Sequence, residues 1–160
     1  MFGNESFNNL FGVLIRDAEH AKVAGNSFHD NCVGALVLGD APGPAGFVKF
    51  DGNRVKHNDK ACPAGEDNDV PLSGIGIALA GAHHVKIKHN LITNNVPSGD
   101  TAFTGGVVVV SGDVTAPQDN VVKQNMIVKN VNDLFWDGTG AGNVFERNVC
   151  QTSVPGGLCS

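Results

Sequence analysis

Residues 25–34 read Gly-Asn-Ser-Phe-His-Asp-Asn-Cys-Val-Gly, and residues 3–12 read Gly-Asn-Glu-Ser-Phe-Asn-Asn-Leu-Phe-Gly. The two stretches lie 22 positions apart and share one frame: Gly-Asn, four residues, Asn, two residues, Gly. Looser copies run towards the C-terminus. Their leading asparagines are Asn4, Asn26, Asn53, Asn90, Asn125 and Asn143, and five positions after each stands another: Asn9, Asn31, Asn58, Asn95, Asn130 and Asn148. A repeat of this length marks a solenoid, because no unit can bury its own apolar face and each must stack on its neighbours.

Within one repeat the apolar residues alternate rather than follow a helical period. Val48-Lys49-Phe50-Asp51 and Val85-Lys86-Ile87-Lys88 precede leading asparagines, and period two means one face inward and one outward. A third apolar segment follows the second Asn: residues 12–15, 34–37, 76–79, 106–109 and 133–136. Gly or Asn interrupts every potential helix. Asn suits the corners, since it tolerates the left-handed conformation, and stacked amides can bond one another in a ladder. The fold expected is all-β: a right-handed, three-sided parallel β-helix of about five to six coils. It forms one domain over residues 1–160, with a C-terminal cap over residues 148–160. Corner loops are expected at 40–46 and 112–119, where Pro42, Pro44 and Pro117 sit, and longer insertions at 59–73 and 96–104. The frame begins almost directly after Met1. The chain is therefore expected to be the C-terminal part of a longer protein, or to need a partner or self-association over its open first coil.

The stretches NCVGALVL, ACPAG, LSGIGIALAGAH, FWDGTGAGN and TSVPGGLC, together with the frame, are similar to right-handed parallel β-helix repeat proteins of the pectate-lyase-like superfamily. The likeness is to the C-terminal part of secreted bacterial, actinobacterial-type members. It implies the fold over nearly the whole chain. It implies no single activity, because this fold hosts lyases, hydrolases, epimerases and non-catalytic modules.

Composition excludes some classes. Charged residues make up 17% of the chain and the net charge is −5, so the basic stripe of a nucleic-acid binder is absent. No apolar run approaches the roughly 20 residues of a membrane-spanning helix. Four cysteines, Cys32, Cys62, Cys150 and Cys159, form an even set without C-x-x-C spacing. Stacking brings the corners of Cys32 and Cys62 together, and Cys150 and Cys159 close a short terminal loop. Two disulfides and a secreted, extracellular location are expected, with any leader outside this chain.

Four places carry candidate chemistry. Glu66, Asp67 and Asp69 in one insertion and Asp100 in the next offer oxygen ligands, and Asp67, Asp69 and Asp100 are the set for a possible Ca²⁺. Pectate-lyase-like relatives often use calcium to bind acidic sugars; solvated loop carboxylates are the plainer alternative. Lys22, Lys49 and Lys86 share one strand position, and Lys88 and Lys123 another, so columns of ammonium groups should face outward. Such columns keep a sheet soluble, and they equally suit the carboxylates of an anionic polysaccharide. His29 and His57, or Lys60, are the available bases for a polysaccharide-active enzyme. His83 and His84 read as turn residues, with His84 aligned to His20. Last, the third strand is apolar on both faces, which calls for covering loops, a protein partner or a greasy groove. The functional expectation is an extracellular scaffold or carbohydrate-contact module, with a lyase, glycoside hydrolase or epimerase as the alternative.

Overall fold

A computed structural model describes residues 1–40 and 43–159, so Pro42 of the first corner loop and the final Ser160 lie outside it. Among the described residues sixteen short strands follow one another without a helix: β1 (Glu5–Phe7), β2 (Phe11–Arg16), β3 (Lys22–Ala24), β4 (Ser27–His29), β5 (Val33–Leu38), β6 (Lys49–Asp51), β7 (Arg54–Lys56) and β8 (Ile75–Ala80). The series continues with β9 (Lys86–Lys88), β10 (Leu91–Thr93), β11 (Gly105–Val110), β12 (Val121–Lys123), β13 (Met126–Val128), β14 (Leu134–Trp136), β15 (Val144–Glu146) and β16 (Ser153–Val154). They form three parallel sheets, in orders β3-β6-β9-β12-β15 (sheet A), β1-β4-β7-β10-β13 (sheet B) and β2-β5-β8-β11-β14-β16 (sheet C). Strand i pairs with the strand one coil away, so the chain winds as a three-sided parallel β-helix.

Inward residues stack by type along the shaft. Val23, Phe50 and Ile87 line it from sheet A, Phe28, Val55, Ile92 and Ile127 from sheet B, and Val37, Leu79 and Val109 from sheet C, all buried. Each such burial contributes about 1.5–3 kcal/mol against the entropy of ordering the coil. The corners turn in left-handed residues: His57, His84, His89, Asn94 and Gln124 all have φ between 51° and 56°. In β8 of sheet C, Gly76 packs so closely on the next coil that an added Cβ would collide with the Gly106 carbonyl oxygen.

The amide ladders form as expected over most of their length. In the first column each Asn side-chain oxygen accepts both the backbone N–H and the side-chain NH₂ of the Asn one coil earlier: Asn26 to Asn53, Asn53 to Asn90, Asn90 to Asn125. The second column runs Asn31 to Asn58, Asn58 to Asn95 and Asn95 to Asn130. The last repeat differs from the sequence expectation. Asn148 stands in the first column, accepting from Asn125, and Asn143 belongs to a third column, accepting from Asn120. The second column ends instead on Asp133, whose Oδ1 receives Asn130 and whose Oδ2 receives the amides of Gln151 and Thr152. The reason is that a three-residue strand plus its corner occupies five positions in sheet A (β12) and in sheet B (β13) alike. The interval from Asn120 to Asn125 therefore equals that from Asn125 to Asn130. Spacing alone fits the last repeat in two frames, and pairing of β15 with β12 (Val122 beside Phe145) selects between them.

Both disulfides are present, Cys32–Cys62 and Cys150–Cys159. The first ties the 59–73 insertion to β5's corner. Leu72 and Phe103 from the two insertions pack with Val33, Ile75, Ala78 and Val108, so the chain's own loops cover the middle of sheet C's outer face. Ala78 and Val108 are consequently buried, while Leu14 at the first coil is exposed. Trp136 faces the shaft with Phe145, Cys150, Leu158 and Cys159, and plugs the last coil beneath the terminal disulfide.

Candidate functional site

Sheet A carries the lysine columns in the register that alternation implied. Lys22 pairs with Lys49 and Lys49 with Lys86, and one step along, Asp51 pairs with Lys88 and Lys88 with Lys123. Five of the chain's 11 basic residues thus share one outer face of an acidic protein. The two columns differ electrostatically. In the second, Lys123 meets Glu146 at 3.4 Å, and Asp51, bonded to His89 at 2.9 Å, interrupts the row. In the first, Lys22, Lys49 and Lys86 are exposed and have no ion-pair partner among the described residues. Three like charges at a strand spacing of about 4.8 Å repel one another, so this row is a standing positive potential on the surface.

Two residues before each lysine of that row the chain turns a corner, and there three rings stack. Phe47 lies between His20, at 4.9 Å between centroids and 11° between planes, and His84, at 4.8 Å and 18°. Backbone bonds from His20 to Gly46 and from Phe47 to His83 set this register. All three residues are left-handed, with φ of 62°, 50° and 52°. For a bulky Phe this conformation is rare and costs about 1–3 kcal/mol, a strain that concentrates at functional positions. Phe47 nevertheless stays 41% exposed. His20, Phe47 and His84 line one open groove of ≈ 440 Å³ together with Lys22, Lys49 and Lys86. The alignment of His84 with His20 was legible in the sequence. Phe47 between them was missed, although the signal was there: His20-Ala-Lys22, Phe47-Val-Lys49 and His84-Val-Lys86 repeat one aromatic-x-Lys pattern.

Behind the stack, His83 reaches Glu19 at 3.1 Å, and its Nδ1 lies 3.1 Å from that of His84. His84 Nε2 is 3.8 Å from Asp119.

The remaining candidates are dispersed. Glu66, Asp67, Asp69 and Asp100 are all exposed, and among the described residues no three His, Cys, Asp or Glu side chains converge as a metal site. The 59–73 loop instead satisfies itself through Asn68, which bonds the carbonyls of Pro63 and Val70. Lys60 donates to the Asn8 carbonyl at 2.9 Å. His29 is held on sheet B by Asp30 at 2.6 Å and Glu5 at 3.0 Å, with Phe7 stacked at 5.3 Å. Hydrogen bonding to Asp30, then to Glu5, holds the His29 imidazole above its ordinary pKa. The corner does bring Asp30 beside His57, through a 2.9 Å bond from the Asp30 amide to the His57 carbonyl. The His57 side chain itself is exposed.

Fold and site together define a parallel β-helix that carries a cationic row beside an aromatic corner. A family model described as a right handed beta helix region matches residues 2–150, and the chain belongs to that family. No curated protein and no solved structure matches it.

Proposed function

We propose that the protein is an extracellular β-helix module that contacts an anionic polysaccharide through sheet A. The single observation behind this reading is the unpaired, in-register row of Lys22, Lys49 and Lys86. Like charges facing one another destabilise a sheet, and an anionic chain laid across the coils relieves that repulsion at each step. A solenoid suits such a ligand because both advance by a regular repeat, one charge per coil. An extracellular location is in keeping with the two disulfides, which persist in oxidising compartments.

The test is binding to polygalacturonate and dextran sulfate, with uncharged dextran as control. Lys22→Gln/Lys49→Gln/Lys86→Gln should lose binding. Arg54→Gln/Lys56→Gln/Lys129→Gln, with the same change in net charge on other surfaces, should retain it. Equal loss in both triples would show only a response to net charge and would overturn the site.

A further inference from the structure

We infer that His20 and His84 make polyanion binding by the lysine row pH-dependent, so that the protein grips its ligand more tightly as the medium acidifies. This rests on the proposed contact function of Lys22, Lys49 and Lys86.

The geometry carries it. The two imidazoles and the three ammonium groups line the same groove, so charge added to a ring is added to the ligand's own path. Phe47 fixes both rings in place by stacking on one face of each. Its backbone is left-handed there (φ 50°), a conformation that His, Asn or Gly takes with less strain.

Imidazole is the side chain whose charge changes between about pH 8 and pH 5. The groups around the two rings are few. Asp119 lies 3.8 Å from His84 Nε2, and His83 sits beside His84 Nδ1. Glu19, the residue preceding His20, is engaged by His83 at 3.1 Å. His20 has no carboxylate within ion-pair distance among the described residues, and the lysine row lies along one side of both rings. A polyanion along that row attracts imidazolium as it attracts ammonium. Binding and proton uptake therefore favour each other, by the reciprocity of linked equilibria.

The experiment uses dextran sulfate, whose sulfate esters keep their charge across the range, at pH 5.5 and pH 8.0 and equal ionic strength. Two added charges at an exposed site should tighten binding about three- to tenfold at the lower pH. His20→Asn/His84→Asn, with a residue that accepts the left-handed corner, should cut that ratio below about twofold. His57→Asn, at an equivalent left-handed corner away from the groove, should leave it intact. As an independent readout, the C–H resonances of His20 and His84 should shift when dextran sulfate is added at pH 5.5 and stay in place with uncharged dextran. Equal affinity at both pH values, or a double variant that keeps the full ratio, overturns the inference while leaving the lysine contact standing. Absence of binding at both pH values overturns both.

Discussion

Asn58→Ala tests the amide ladder where it is most buried. The Asn58 side chain accepts from the Asn31 N–H at 3.3 Å and from Asn31 Nδ2 at 3.0 Å, and donates to the Phe28 carbonyl at 3.2 Å and Asn95 Oδ1 at 2.9 Å. Truncation removes all four. Asn31 Nδ2 keeps the Ser6 carbonyl and Asn95 Oδ1 keeps the Asn58 backbone N–H, but the Asn31 N–H loses its side-chain acceptor in a site of 0% exposure. An orphaned buried donor costs about 1–3 kcal/mol, and the three other lost bonds about 2 kcal/mol together, so the variant should lose about 3–5 kcal/mol. For a chain of this size that is a fall in Tm of about 6–20 °C. Asn4→Ala removes two side-chain bonds at the exposed start of the same kind of column, where water replaces them, and should cost about 0.5 kcal/mol. Urea titration followed by far-UV circular dichroism measures both, with the slope checked for constancy. If Asn58→Ala costs less than about 1 kcal/mol, or no more than Asn4→Ala, the ladder is not what holds the corners.

Two further outcomes concern the ends of the stack. Cys150→Ser/Cys159→Ser opens a loop of sequence separation 9 and should lower stability by about 2–3 kcal/mol, read from the fluorescence of Trp136, the chain's one tryptophan, during urea unfolding. Because the folded state holds the His29 pKa above its unfolded value of about 6.5, protonated His29 stabilises the first coils fully below that value, and the contribution fades as pH rises through the elevated one. Both carboxylate partners are largely exposed, so wild type should exceed His29→Gln by only about 0.5–1 kcal/mol at pH 6 and by almost nothing at pH 9. A gap that grows with pH refutes the assignment.

Much of the architecture was readable because a solenoid writes its geometry into local spacing. Asn26, Asn53 and Asn90 lie above one another as their frame demanded, and Lys22, Lys49 and Lys86 follow because alternation fixes which face they occupy. The aromatic corner was harder to see. Its pattern, aromatic-x-Lys, mixes His with Phe, and nothing in a linear sequence says that Phe47 adopts the left-handed conformation beside two histidines. The loop carboxylates show a different limit. Glu66, Asp67 and Asp69 are close in sequence, but loop backbone is not periodic, so proximity along the chain does not say where they meet, and among the described residues no three such side chains group as a metal site.

Local spacing was enough for the repeat, the three strands per coil and the inward and outward faces, since each depends on neighbours at fixed intervals. Packing between coils alone set the frame of the last coil, where Asn143 and Asn148 fit two columns equally by spacing and strand pairing breaks the tie. It alone also decided what covers sheet C and which rings meet at the corner. Those outcomes depend on contacts between insertions of unequal length, and a repeat constrains the coils it threads, not the loops that leave them.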